Sequence, residues 1–249
     1  MYLIFIAFIG LAFGSFLSVI LFRLDEKAGI WTGRSECPHC LTRLRWVDLI
    51  PILSFLFLRG KCRYCSHKIR VLYPVMELVM AGVFLLYFVV SGLYFDIRVV
   101  YELSLIFFLM ALIFFDYIYY ILPDKIIIIA FGISLLYTLI FQKDLIIGDL
   151  AVGLGLASFF GIIYLVSRGE WMGFGDVKLA FLIGFILGYP VAIMSIIVAV
   201  WSGAIWGLAL MAAGKANPKT ALPFGTFISA VAILFIIFKD HVQIPFFQL

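Results

Sequence analysis

The sequence predicts an all-α polytopic membrane protein, a bundle of about eight transmembrane helices with one small cytoplasmic loop domain. Three observations carry this. Hydrophobic residues make up 65% of the 249 residues and charged residues only 13%, where a soluble domain usually carries about 25% charged residues; that much apolar surface needs lipid as its solvent. The apolar residues form long continuous runs, whereas a transmembrane barrel would show short alternating segments of about ten residues. The polar residues between the first two runs hold all four cysteines, within residues 37–65.

The first run, Tyr2 to Phe22, lacks a basic n-region and ends without a small-residue cleavage site, which predicts an uncleaved spanning helix rather than a signal peptide. A polar stretch from Arg23 to about Val71 follows. Further runs lie at roughly 72–92, 98–120, 125–141, 147–167, 177–188, 190–213 and 221–238. The sixth run is short for a hydrocarbon core about 30 Å thick, so it is expected to be tilted, broken or partly re-entrant. Pro190 separates it from the seventh.

Lys and Arg fix the orientation. The 23–71 loop holds ten: Arg23, Lys27, Arg34, Arg43, Arg45, Arg59, Lys61, Arg63, Lys68 and Arg70. With that loop in the cytoplasm and one crossing per run, the same side receives Lys125, Arg168, Lys178, Lys215 and Lys219, and the other side only Arg98, Lys143 and Lys239. Both termini are then expected outside the cytoplasm. Small-residue rows (Gly184/Gly188, Gly203/Gly207 and Gly153/Ala157/Gly161) suit close helix contact in lipid and carry no functional weight.

Cys37-Pro-His-Cys40 and Cys62-Arg-Tyr-Cys65 are two CxxC knuckles with 21 residues between them. Four thiolates in this pattern suit tetrahedral Zn2+, and a reducing cytoplasm argues against disulfides. The loop is therefore read as zinc-ribbon-like, with a structural metal. His39 and His67 read as solvated neighbours of an already complete ligand set. The largely apolar segment Trp46–Leu58 between the knuckles is either the core of this module or a stretch lying on the membrane surface.

Ionisable groups in spanning segments are functional candidates. Asp116 interrupts the cytoplasmic end of the third run amid Phe and Tyr. Asp176 opens the sixth run in Gly173-Phe174-Gly175-Asp176-Val177-Lys178-Leu179. The two lie sixty residues apart in sequence but at one predicted depth. Two carboxyls brought together cannot both ionise; one then takes a proton from water while the other donates to a carbonyl. Glycines before Asp176 would let backbone or an extended substrate come close. Charge alone leaves catalysis and a packed polar pair both open. Asp124, after Pro123, reads as a helix cap. The Gly-Phe-Gly-Asp segment lacks a preceding strand and the GxGxxG pattern of a dinucleotide loop. No Ser-His-Asp set or HExxH occurs, and His39, His67 and His241 fall outside the runs. Nothing points to nucleic acid.

In their order along the chain, these segments resemble the bacterial type IV prepilin peptidase family (leader peptidase / N-methyltransferase), GxGD-type aspartic proteases. Gly14-Ser15-Phe16-Leu17-Ser18-Val19 with Arg23 is similar to the family's GSFLNV opening, with Ser18 in place of Asn. The double CxxC follows in the expected place. Asp48-Leu49-Ile50-Pro51-Ile52-Leu53-Ser54 and Arg59-Gly60-Lys61-Cys62 resemble the family's inter-knuckle segment. Tyr73-Pro74-Val75-Met76-Glu77 matches YPxxE. Asp116 with Leu122-Pro123-Asp124 matches the first aspartate motif, and Gly173 to Leu179 matches GxGDxKL. Pro223-Phe224-Gly225 resembles the closing PFGP, with Thr226 in place of the second proline.

The resemblance implies cleavage of the basic leader of type IV prepilins or pseudopilins after a glycine. It implies Asp116 and Asp176 as the catalytic pair, with Gly173, Gly175, Lys178 and Asp124 as supporting peptidase motif. It further implies N-methylation of the new N-terminus with S-adenosylmethionine, with Gly60, Lys61 and, less directly, Glu77 on the methyltransferase side, and Cys37, Cys40, Cys62 and Cys65 on the metal. The expected division is 1–22 first helix, 23–71 methyltransferase-associated zinc-binding loop, and 72–249 peptidase bundle, in a bacterial inner membrane with the active site facing the cytoplasm. The basic loop could also hold the protein to anionic lipid. Two other readings fit the paired aspartates: a broader GxGD intramembrane signal-peptide protease, and a transporter relaying protons or cations.

Overall fold

The computed structural model describes residues 2–24, 34–215, 217, 220 and 222–239; Lys27, Lys219 and His241 lie outside the described residues. Among the described residues, the regular structure is helical, and β pairing is confined to two isolated bridges. The chain divides into two compact units, Met1–Tyr94 and Phe95–Leu249.

The first unit is a helix pair carrying a loop. α1 (Tyr2–Arg23) and, after the loop, α3 (Leu72–Val90) pack on each other. Glycine makes that contact possible: a Cβ at Gly10 would lie 2.6 Å from Cα of Ala81, and one at Gly14 2.5 Å from Cα of Glu77. Such backbone proximity is how helices associate where lipid removes the hydrophobic drive. The loop contains a 3₁₀ turn, Trp46–Leu49, and the short helix α2, Leu53–Phe57. Trp46 is 78% and Phe57 84% exposed, so this segment is not the core of the cysteine module, as one reading of the sequence allowed.

The second unit contains α4 (Ile97–Tyr119), α5 (Asp124–Phe141), α6 (Ile146–Val166), α7 (Phe174–Leu187), α8 (Val191–Ala212) and α9 (Phe224–Phe238). Asp96 caps α4 by accepting the Val99 N–H at 2.8 Å. α7 is the centre: it packs on α5, α6, α8 and α9, and Leu179, Ala180, Leu182 and Ile183 are fully buried. It meets α6 glycine to glycine, a Cβ at Gly184 falling 2.6 Å from Cα of Gly153. α9 packs along α4 and α8. At the end of α4 away from Asp116, buried Glu102 is held by Arg98 at 2.9 Å and by Lys239.

Six helices (α1, α3, α4, α5, α6 with its preceding turn, and α8) are long and apolar enough to cross a bilayer. α7, with 14 residues, and α9, with 15, are shorter, and α7 coincides with the run expected to be too short. The chain is a multi-pass membrane protein.

Candidate active site

The start of α7 follows directly from its sequence. Gly173 is the N-cap in extended conformation, and the Asp176 N–H reaches back to the Gly173 carbonyl at 3.1 Å. Asp176 is therefore the third residue of the helix, in the first turn, where unsatisfied N–H groups and the helix dipole favour negative charge. Asp116 lies near the other kind of terminus, four residues before the left-handed Tyr120 that ends α4. Its carboxylate is turned onto a neighbouring helix. The Thr226 N–H, in the first turn of α9, donates to Asp116 Oδ2 at 2.6 Å, and the Thr226 hydroxyl donates to the same oxygen at 3.0 Å. Both aspartates thus occupy helix N-termini, one its own and one another's.

Both are buried, Asp116 at 6% and Asp176 at 8% exposure. Leu122 is the wedge around which they are arranged. A Cβ at Gly175 would lie 3.0 Å from Leu122 Cβ; a Cβ at Gly225 would lie 2.9 Å from Leu122 Cδ1 and 3.2 Å from Asp116 Cγ. Glycine at 175 and 225 is therefore a matter of clearance. Three separate segments, 116–122, 173–176 and 223–226, meet there. Two carboxyls on segments that meet can share a proton if they approach closely, one activating water and the other protonating a carbonyl oxygen.

Asp124 does not cap α5 as expected. It is the first helical residue, after an N-cap at Pro123, and its exposed carboxylate receives Lys178 Nζ at 2.5 Å. The pair joins the starts of α5 and α7, and the ammonium also lies 5.0 Å from the Phe174 ring centroid.

In the first unit the two knuckles are built alike. Cys37 N–H donates to the Thr42 carbonyl at 3.0 Å and Leu41 N–H to the Cys37 carbonyl at 2.8 Å; Cys62 N–H donates to the His67 carbonyl at 2.8 Å and Ser66 N–H to the Cys62 carbonyl at 2.9 Å. Leu41 and Ser66 both take positive φ, and the bridges Glu36–Arg43 and Lys61–Lys68 frame each turn. The four sulfurs lie within 4.8 Å of one another and are not bonded as disulfides; Cys37 and Cys65 Sγ are 3.8 Å apart. A tetrahedral site with Zn–S of about 2.3 Å needs sulfurs about 3.8 Å apart. The four cysteines are placed to bind a metal ion. His39 and His67 stack on each other, centroids 3.7 Å apart, outside that set.

Asp48 ties the knuckles together. It accepts from Arg63 Nε at 2.7 Å, from the Arg45 N–H at 3.1 Å and from the Tyr64 hydroxyl at 3.3 Å. Burial opposes its charge, but these bonds outweigh it and hold the carboxyl below the usual value of 3.8.

Glu77 is 8% exposed. It receives the Ile52 N–H at 2.7 Å, Ser15 lies beside it, and Gly14 lies against its backbone. The opening, inter-knuckle and Tyr-Pro-x-x-Glu segments therefore meet at one carboxylate. Gly60, with φ +68, accepts the Ile69 N–H at 2.8 Å and lies against the Phe55 ring; exposed Lys61 follows it. Gly60 is joined to Glu77 in series, through the Leu53–Phe57 helix and Ile52. Sequence reasoning missed four partners: Thr226, Leu122, Ile52 and Ser15. The first was visible only as a departure from a familiar pattern. The others sit inside the quoted motifs without a charge to mark them.

Comparison with known proteins agrees in both units. Residues 8–91 match the Bacterial Peptidase A24 N-terminal domain and residues 103–208 the Type IV leader peptidase family. The chain is similar to the prepilin leader peptidase/N-methyltransferase of Bacillus subtilis (strain 168), 32% identical over 94% of this chain and 93% of that one. It is also similar to proteins of that name from Pseudomonas putida (28%, 97% and 92% covered) and Klebsiella pneumoniae (32%, 76% and 87% covered). No solved structure matches.

Proposed function

The chain belongs to the type IV leader peptidase family, and from that premise we propose that Asp116 and Asp176 are the pair that cuts. The protein is a peptidase that removes prepilin leaders and N-methylates the product. One observation carries the catalytic assignment: two buried aspartates sixty residues apart in sequence, on segments that meet at Leu122.

Either carboxylate, when ionised, can take a proton from a water whose oxygen attacks the scissile carbonyl carbon. The other, when neutral, protonates the carbonyl oxygen and regains that proton as the tetrahedral intermediate collapses, while the first passes the proton taken from water to the leaving amine. The bond cut follows a glycine that ends a basic leader of a type IV prepilin or pseudopilin. Gly173 leaves room for extended backbone beside Asp176, whereas the space at Gly175 is taken by Leu122. The Lys178–Asp124 pair holds the two helix starts in register.

The cysteines hold structural Zn2+, which supplies no step and closes the loop. On the methyltransferase side, Glu77 offers a buried carboxyl group, negative when ionised, and Lys61 an exposed positive charge. These signs complement a cationic sulfonium donor with a carboxylate tail. S-adenosylmethionine, when bound, supplies an electrophilic methyl group to the new N-terminal amine. Functionally, 1–22 is the first helix, 23–71 the methyltransferase-associated loop and 72–249 the peptidase bundle. Packing instead divides the chain after Tyr94. The fifteen-to-three distribution of Lys and Arg supports both termini outside the cytoplasm, the active site facing it, and the basic loop against anionic lipid, and membership of the family supports a bacterial inner-membrane location.

The test is incubation of the protein in membranes with a prepilin, with and without S-adenosylmethionine, read by the mass of the new N-terminus. Cleavage after the leader glycine, and a methyl gain only with the donor, are expected. Cuts in the middle of spanning helices would favour a signal-peptide protease, and proton movement without cleavage a transporter.

A further inference from the structure

The residue that departs from the closing PFGP pattern is the one that holds Asp116. A proline at position 226 would have neither N–H nor hydroxyl. Thr226 has both, and both point at Oδ2 of Asp116, at 2.6 and 3.0 Å. The N–H belongs to the first turn of α9, where no carbonyl of that helix can receive it; a carboxylate 110 residues away does so instead. The hydroxyl proton has a second acceptor, the Ile113 carbonyl, but at 3.4 Å against 3.0 Å the carboxylate is the better one. Gly225 closes a further side, since even a Cβ there would lie 3.2 Å from Asp116 Cγ. Rotating the carboxyl group would break both bonds to Oδ2 at once. Oδ1 is the oxygen left to exchange a proton.

We propose that Thr226 is a positioning residue of the peptidase site, fixing Oδ2 of Asp116 through its N–H and hydroxyl so that Oδ1 alone faces the reacting water. This rests on Asp116 being one of the catalytic pair. Catalysis depends on orientation to this degree because a proton acceptor must stay within hydrogen-bond reach of the water it activates.

The experiment compares prepilin cleavage by Thr226→Val, Thr226→Ser and Thr226→Pro in the full-length protein, with thermal unfolding followed for each. Thr226→Val keeps the shape and the N–H but loses the hydroxyl. Its kcat is expected to fall about tenfold at unchanged KM, the signature of an interaction used in the transition state. Thr226→Ser, which keeps both donors, is expected within about twofold of the parent, and Thr226→Pro, which removes both, below Thr226→Val. Should Thr226→Val fail to fold, Thr226→Ala removes the same donor and is judged by the same criterion. Parental kcat in the hydroxyl-less variant, or a raised KM at parental kcat, overturns the proposal, as does a Thr226→Ser variant no better than Thr226→Val. Asp116→Ala separates the two levels. If it still cleaves, the catalytic pair itself is wrong; if it is inactive while Thr226→Val is normal, only the positioning role falls.

Discussion

The Ile52 N–H lies 2.7 Å from Oε2 of Glu77, and Ile52 is held at φ +59. A β-branched residue in that region is strained and persists only where its surroundings enforce it. The bond to a buried carboxylate is that enforcement. It joins the loop to the helix pair.

Glu77→Ala is therefore expected to release the segment at Ile52 and lower methylation at least about tenfold, with leader cleavage retained. The mass of the prepilin N-terminus distinguishes the two activities. Equal loss of both would place Glu77 in the general stability of the protein.

Asp116→Ala and Asp176→Ala are each expected to lower cleavage by about a thousandfold or more, the scale of losing an acid or base. Methylation of a prepilin already cleaved should survive in both. Normal cleavage by either variant, at parental expression, rules out the pair.

Clearance around Leu122 makes a coupled prediction. Gly225→Ala drives a methyl group into Leu122 and toward Asp116 Cγ, and should reduce cleavage without removing any polar group. Leu122→Ala opens that space, so the double variant should recover activity relative to Gly225→Ala alone. A double-mutant cycle with purely additive effects would show that the two do not press on each other.

Removal of the metal should act on one activity. Chelation, or Cys62→Ser, is expected to loosen residues 34–71 and to lower methylation about tenfold or more while cleavage persists. Hydrogen exchange of the loop, read beside both activities, checks this.

Asp48 gives the loop an acid limit. Its carboxyl sits below the usual value of 3.8. The stabilisation is therefore complete above the unfolded-state value and fades as pH falls through the lower folded-state one. Asp48→Asn should make the loop exchange faster at neutral pH, and the difference from the parent should close in strong acid. A gap that is constant with pH would mean Asp48 acts through shape alone.

Much of this was legible beforehand because lipid simplifies the reading. A charge such as Asp116 among aromatic side chains stands out, and two CxxC turns specify their own geometry. Helix lengths followed from the apolar runs, including the short α7. What stayed hidden depends on through-space contacts made by uncharged groups. Thr226 reaches Asp116 by its backbone as much as by its side chain, and Leu122 matters for the room it takes. Asp124 illustrates the opposite error. A local signal read as a cap gave way to a partner, Lys178, 54 residues away, which no local pattern encodes.

The 14 residues of α7 span only about 21 Å, against a hydrocarbon layer of about 30 Å. A helix so short leaves the membrane to thin around it or lets polar surface follow it inward. Hydrolysis consumes a molecule that oil excludes. With Asp176 at the head of a stunted helix, the reagent can arrive from the aqueous side, and the substrate need not be drawn to mid-membrane to meet it.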